Sequence, residues 1–327
     1  MKFKSILFAA LIASITACGG ESNVSTTTTV KSIESLNASL PTINPSLESQ
    51  SPEGIWFMLG SQVMTSESDE ASLTAITDSQ QFMLIKENSD SSYSFYACGL
   101  QIGLDFEDTH LALDADKLTE SGTKDETDTY KETYAVDFNL DNNLRLTGTI
   151  KTTDEYKGST FSYTQHNNVN VSAIKVSNAT KLNSAEELSI EFNAALNGSS
   201  QSLSDFYSPI SCLSVSSSSF SGTSLSKKVS VSATTIEILD LQGSEAEFDL
   251  ATGTWGPETV HDKMYYSDLS GLRSEGENEC DDDEAYCTLT TELIISKDTN
   301  ENSISTTVNA TNEDNDSLTI DFSVTIK

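Results

Sequence analysis

Tyr134-Ala135-Val136-Asp137-Phe138-Asn139-Leu140-Asp141-Asn142-Asn143-Leu144-Arg145-Leu146 is the stretch that decides how this chain folds. Tyr134, Val136, Phe138 and Leu140 fall on every second position, with Ala135, Asp137 and Asn139 between them. A period of two is the mark of a strand with one buried face. Asp141-Asn142-Asn143 then supplies residues that tolerate positive φ, and the alternation resumes at Leu144, Leu146 and Ile150. The stretch therefore predicts a β-hairpin.

The same pattern extends in both directions. Leu188, Ile190, Phe192 and Ala194 share a face, and Leu318, Ile320, Phe322, Val324 and Ile326 alternate without error against Thr319, Asp321, Ser323 and Thr325. The partner expected for that last strand is Ile304, Thr306, Val308 and Ala310, across the polar connection 311–317. Further strands are expected at 81–86, 93–98, 159–164, 169–176, 228–233, 235–241, 246–250 and 287–296, with a bulge after Ala173 where the apolar phase slips. Only 66–79 and 109–120 suggest short helices. The fold class is all-β, an antiparallel sandwich or barrel. The polar stretch 177–185 divides the body into a first β domain, 52–177, with room for an eight-stranded barrel, and a second, 186–327. One larger sandwich is the alternative.

Of 327 residues, 50 are acidic and 18 basic, a formal net charge of −32. That balance excludes nucleic acid and any role that needs a basic surface against anionic headgroups. It suits a self-repelling soluble surface, or cations and basic partners. The hydrophobic share of 36% is enough to build a core.

At the N-terminus, Met1-Lys2-Phe3-Lys4, an apolar run over 6–15 and small residues before position 18 form the three regions of a secretory signal, 1–17. The run is shorter than the roughly 20 apolar residues that a membrane-spanning helix needs. Residues 18–51 follow, rich in Ser, Thr and Asn and including Thr26 to Thr29. Such a segment buries too little apolar surface to offset its ordering entropy and reads as a disordered polar tether, with a short helix around 30–36 left open. Its mean reach would be on the order of 30 Å.

Ile15-Thr16-Ala17-Cys18 resembles the lipobox of bacterial lipoprotein precursors. The resemblance implies that Cys18 is acylated, palmitate being one of the chains, and becomes the mature N-terminus. Gly19, where an Asp would mark inner-membrane retention, implies the outer membrane. Several acyl chains on one residue give stable anchoring. An exported compartment permits disulfides. Four cysteines then remain, with three pairings open. Cys280 with Cys287 would close the acidic loop Asp281-Asp282-Asp283-Glu284, and Cys98 with Cys212 would tie the two halves.

Chemistry is harder to find. The ring of Asp281, Asp282, Asp283 and Glu284 could offer hard oxygen ligands to calcium, but it lacks the spacing and glycine of an EF-hand. Asn312-Glu313-Asp314-Asn315-Asp316 is a second oxygen-rich turn. The three histidines, His110, His166 and His261, stand near no Gly-x-Ser-x-Gly elbow, and no glycine-rich loop precedes a helix. No catalytic site and no cofactor besides calcium is expected.

Gly54-Ile55-Trp56, at the head of about 120 residues of strands, resembles the Gly-x-Trp opening of lipocalins, eight-stranded barrels that hold small apolar ligands. Gly253-Thr254-Trp255 repeats the tripeptide where too little chain remains for a second such barrel. The lipocalin pattern also calls for an arginine at the end of the last strand, and Arg145 lies too early. The expectation is a lipid-anchored cell-envelope protein, a noncatalytic binding or structural module with an envelope protein or glycan as partner. The alternative is a lipocalin-like carrier of a small apolar ligand, and the third reading is a calcium-dependent binding or hydrolytic enzyme.

Overall fold

The computed structural model describes residues 29–41, 51–68, 71–97, 109–141, 144–181 and 185–186, and beyond these the backbone of the strands named below. A helix, α1 (Ile33–Ser39), precedes eight strands: β1 (Gly54–Ser68), β2 (Ala71–Glu87), β3 (Tyr93–Ala97), β4 (Ala112–Asp114), β5 (Lys117–Glu126), β6 (Tyr130–Asp141), β7 (Arg145–Lys157) and β8 (Ser162–Ser177). Consecutive strands pair antiparallel, except that β3 meets only Leu111, the residue before β4. There Tyr93 and Leu111 exchange two backbone hydrogen bonds of 2.9 and 2.8 Å. β8 returns to pair with β1 from Tyr163 to Ser177, with one register shift. The eight strands thus form an up-and-down ring whose base has no free edge.

The rest of the chain adds to this ring. β9 (Leu188–Leu196), β10 (Ser199–Ser202), β17 (Leu293–Asp298), β18 (Ser303–Thr311) and β19 (Ser317–Ile326) form a separate antiparallel sheet in the order β10-β9-β19-β18-β17. β11 (Cys212–Ser224) and β12 (Lys227–Leu239) form a hairpin that joins the first sheet, with β11 laid along β2 from Gln81 to Ala71. β13 (Phe248–Asp249) and β14 (Thr254–Trp255) pair with each other. β15 (Met264–Asp268) and β16 (Gly271–Leu272) extend the first sheet beyond β12. The tie between the two halves that these residues show is therefore a backbone ladder. Cys98, Cys280 and Cys287 lie outside the described residues, and Cys212 is described by its backbone alone.

The outer edge of β2 is shared. From Glu87 to Met83 it carries β3, and from Gln81 onward it carries β11. The ring is closed at the base by β3 and β4 and splays open above them.

Two expectations are corrected. The segment 66–79 is not helical, because it is the end of β1 and the start of β2; Leu73 and Ala75 share the inner face with Met64 in a small cluster of their own. Nor is 109–120 a helix, since β4 and β5 meet there in a tight turn with Ala115 at φ 56°. The bulge also sits later than expected. The β1–β8 register shifts between Ile55 and Trp56, which leaves Val176 unopposed, whereas Ala173 pairs regularly with Met58. The phase slips earlier in sequence because Ala173, Ile174, Lys175 and Val176 are all buried, so both faces of the strand are covered there.

Sixteen buried side chains on the inner face form one core, including Trp56, Met58, Met83, Phe95, Phe138, Leu146 and Val171. Phe95 and Phe138 meet edge to face with ring centres 5.9 Å apart. Burying an aromatic or aliphatic side chain of this size contributes roughly 1.5–3 kcal/mol.

Part of the stretch 18–51, expected as a tether, is docked. α1 has seven residues, too few to be stable alone. The Ser32 hydroxyl accepts from Ser35 N at its start. Leu36 and Leu40 are buried. Arg145 holds the far end, with Nη1 donating to Asn37 Oδ1 at 2.6 Å and Nη2 to the Pro41 carbonyl at 2.7 Å. Lys31 Nζ pairs with Asp78 Oδ2 at 2.8 Å, and Asn170 Nδ2 donates to the Lys31 carbonyl at 2.9 Å. Removing a charged donor from a partly buried hydrogen bond costs about 1.5–3 kcal/mol. Arg145→Met is therefore expected to expose the amides of α1 to rapid hydrogen exchange while those of β6 and β7 stay protected; equal protection of α1 in both proteins would count against the docking role.

Candidate functional site in the barrel

The base of the barrel is sealed by residues 51–54 and Lys175. Trp56 Nε1 donates to the Pro52 carbonyl at 2.9 Å, and Lys175 Nζ donates to the Ser51 carbonyl at 3.0 Å. Trp56 and Lys175 are register partners across β1 and β8. Gly54 has φ 141°, and a Cβ there would lie 2.6 Å from Lys175 Cε as well as against the Ser177 carbonyl. Only glycine leaves room for the lysine stem in that conformation. Burial holds the Lys175 ammonium down to about 8, with the Glu53 charge pulling the other way. Lys175 stands near the end of β8, and Arg145, too early for the arginine of the lipocalin pattern, holds α1.

Above the apolar base the inner face turns polar. Along β2 the inward positions run Ile85, Met83, Gln81, Ser79 and Thr77, and the first two belong to the core. Ser79, Thr77 and, on β1, Gln62 are partly exposed, so solvent meets the inner face at these positions above the base. Gln62 Nε2 donates to Asn167 Oδ1 at 3.2 Å, and Asn167 Nδ2 donates to Thr152 Oγ1 at 2.9 Å. Tyr134 Oη donates to Glu120 Oε1 at 2.6 Å. Gly122 gives the tyrosine its place, since a Cβ there would lie 3.1 Å from Tyr134 Oη.

Glu132 and Asp154 face each other across β6 and β7. Lys124 Nζ is 3.7 Å from Glu132 Oε1, and Tyr130 Oη donates to Glu132 Oε2 at 3.2 Å. Burial, and then the Glu132 charge, push the Asp154 carboxyl up to about 6, against Lys124 and the Tyr130 hydroxyl. Between pH 4 and 6 the folded protein keeps a proton that the unfolded chain has lost, so this contribution to stability is full below the ordinary carboxylate pKa and fades as pH rises through 6. Asp154→Asn is expected to remove that fall. Denaturant midpoints of wild type and variant that run parallel from pH 4 to 7 would refute it. At the rim, Tyr156 and Tyr163 stack at 5.8 Å, and Phe161, itself exposed, lies 6.0 Å from Tyr163.

The residues singled out from sequence fare unevenly. Cys18, the acidic loop 281–284, the turn 312–316 and His261 lie outside the described residues. His166 is on the outer surface, with Nδ1 3.0 Å from Thr153 Oγ1. His110 gathers Ser92 and Asp90 around it, yet both face the same Nδ1, at 3.2 and 3.8 Å, and Ser92 Oγ donates straight to Asp90 Oδ1 at 2.6 Å. A relay needs the serine and the carboxylate on opposite ring nitrogens. Sequence reasoning missed Gln81, Glu120, Glu132, Asp154 and Lys175. The signal was a polar residue in phase with an apolar face, as Glu132 is with Tyr134, Val136 and Phe138.

No protein-family model matches the chain, and no curated protein matches it. Among solved structures, the crystal structure of a protein provisionally named AttH from Nitrosomonas europaea is similar at 6% identity over 88% of this chain and 97% of that one, with a TM-score of 0.18. A likeness at that score carries no argument, and the fold stands on the strand pairings above.

Proposed function

We propose that this protein is a lipid-anchored, noncatalytic envelope module whose barrel, residues 54–177, carries a small, largely apolar ligand. The observation that supports the reading is the ring itself: eight strands close over an apolar base, and partly exposed polar residues of the inner face, Gln62, Thr77 and Ser79, lie above it. Eight-stranded barrels of this size either fill with side chains or hold one small ligand. Here the filled part is the base, and the aromatic rim of Tyr156, Phe161 and Tyr163 offers apolar surface at the open end.

The leader and Cys18 support an acyl anchor in the outer membrane by their resemblance to a lipobox. With Lys31 docked on the barrel, the thirteen residue steps from Cys18 allow at most about 45 Å between anchor and body. The carrier would then work close to its membrane, and Cys18→Ser would release it from the membrane fraction. The test of carriage is titration with N-phenylnaphthylamine, a neutral apolar dye. Saturable enhancement at one site per chain supports the reading. A linear, unsaturable response, the same as that of a folded protein without a barrel, would overturn it.

A further inference from the structure

Gln81 is the first polar residue above the apolar base on the inner face of β2, and it stands where the outer edge of β2 passes from β3 to β11. Its side chain is 1% exposed. Both Oε1 and Nε2 are buried, and neither has a hydrogen-bond partner. A buried carboxamide with one donor group and one acceptor unmet is among the costlier features a core can keep, since each unmade bond forfeits the solvation that water gave it. Among the described residues, Met58 lies opposite it on β1, Met83 flanks it below and Ser79 above, with Ser79 Oγ close under Gly60; across its other edge stands Ser214 of β11, described by its backbone alone. The side chain is therefore an unmet donor and acceptor on the inner face, just below the partly exposed positions Ser79 and Thr77.

We infer that Gln81 is the polar anchor of the carried ligand, and that the ligand is a neutral molecule presenting an amide or lactam edge. The inference rests on the carrier reading and names its ligand class. A side-chain carboxamide and a cis-amide edge satisfy each other in a pair: Oε1 accepts from the ligand N–H, and Nε2 donates to the ligand carbonyl. An alcohol would leave part of the amide unmet in the same plane. A carboxylate could use only Nε2 and would bring an uncompensated charge into an interior that already holds Glu120, Glu132 and Asp154. The apolar remainder of the ligand would lie toward Met58 and Met83.

The experiment titrates the full-length protein with ε-caprolactam and with N-methylcaprolactam, which has the same ring and carbonyl but no N–H. Wild type is expected to bind the lactam about tenfold more tightly than its N-methyl form, because a site built to hydrogen-bond a donor rejects the analogue lacking it. Gln81→Met, of similar volume, is expected to bind both alike, at the level of the N-methyl compound. Equal affinity of the two lactams for wild type, with the dye still binding saturably, overturns the role of Gln81 and leaves the carrier standing. A tenfold preference that persists in Gln81→Met overturns it as well. If neither dye nor lactams bind, the carrier reading falls and takes this inference with it. Should the variant fail to fold, the ratio measured on wild type decides alone.

Discussion

Gly148→Val is expected to unfold the barrel, or to lower its stability by more than the roughly 1–3 kcal/mol that overpacking a core commonly costs. Gly148 lies on the inner face of β7, opposite Phe138 of β6. A Cβ at that position would run into the Asp137 carbonyl oxygen and come within 2.8 Å of Phe138 Cα. Both obstacles are backbone of the adjacent strand, so no rotamer change relieves them. The strands would have to separate where the Phe138 ring packs on Phe95, and the closure through β3 lies directly behind that pair. Gly122→Ala is the matched control. Its new methyl would meet the tip of the Tyr134 ring at 3.1 to 3.3 Å, and a side chain can give way. Thermal melts followed by far-ultraviolet circular dichroism should show the control within a few degrees of wild type and Gly148→Val far below it. A Gly148→Val protein that melted with the control would mean that β6 and β7 are not this close.

The contrast between these glycines shows what the sequence could carry. The hairpin of β6 and β7 was legible because its inner residues alternate and its outer residues are polar. The pairing of β18 with β19 was legible for the same reason: Ile304, Thr306, Val308 and Ala310 do stand opposite Val324, Phe322, Ile320 and Leu318. Where both faces are covered the pattern disappears. Gly54 to Gly60 are all buried on β1, so that strand reads as an unbroken run and its register with β2 and β8 cannot be told from its own residues.

The closure of the ring was hidden for a different reason. It depends on one bridge, Tyr93 to Leu111, and on a β4 of three residues, too short to show any period. The middle of β8 hid as well, because Gln165, His166, Asn167 and Asn168 are polar on both faces. Asn167 is nonetheless buried, held by Thr152, while His166 outside is held by Thr153. A polar side chain that a neighbouring strand satisfies looks, in sequence, like a loop.

The same limit applies to Lys175, a buried cation on a stretch of β8 covered on both faces. Between pH 8 and 10.5 wild type is expected to gain stability relative to Lys175→Met, by on the order of 3 kcal/mol over the full interval at about 1.4 kcal/mol per pKa unit. The fold holds the ammonium near 8, mainly through burial, whereas the unfolded chain releases its proton near 10.5. Across that window the unfolded state binds the extra proton, so raising the pH favours the folded state. Below pH 8 both states are protonated and the fold bears the full cost of a buried charge, offset by Ser51 and by the Glu53 carboxylate. There Lys175→Met should match or exceed wild type, as buried ions replaced by apolar groups of similar size often do. Urea denaturation of both proteins at pH 7.5, 8.5 and 9.5 reads the difference directly, since ionisation of the other lysines and of the tyrosines is common to the pair. A constant difference across those three values would show that the Lys175 ammonium is solvated in the folded protein, and Gly54 would then have no stem to make room for.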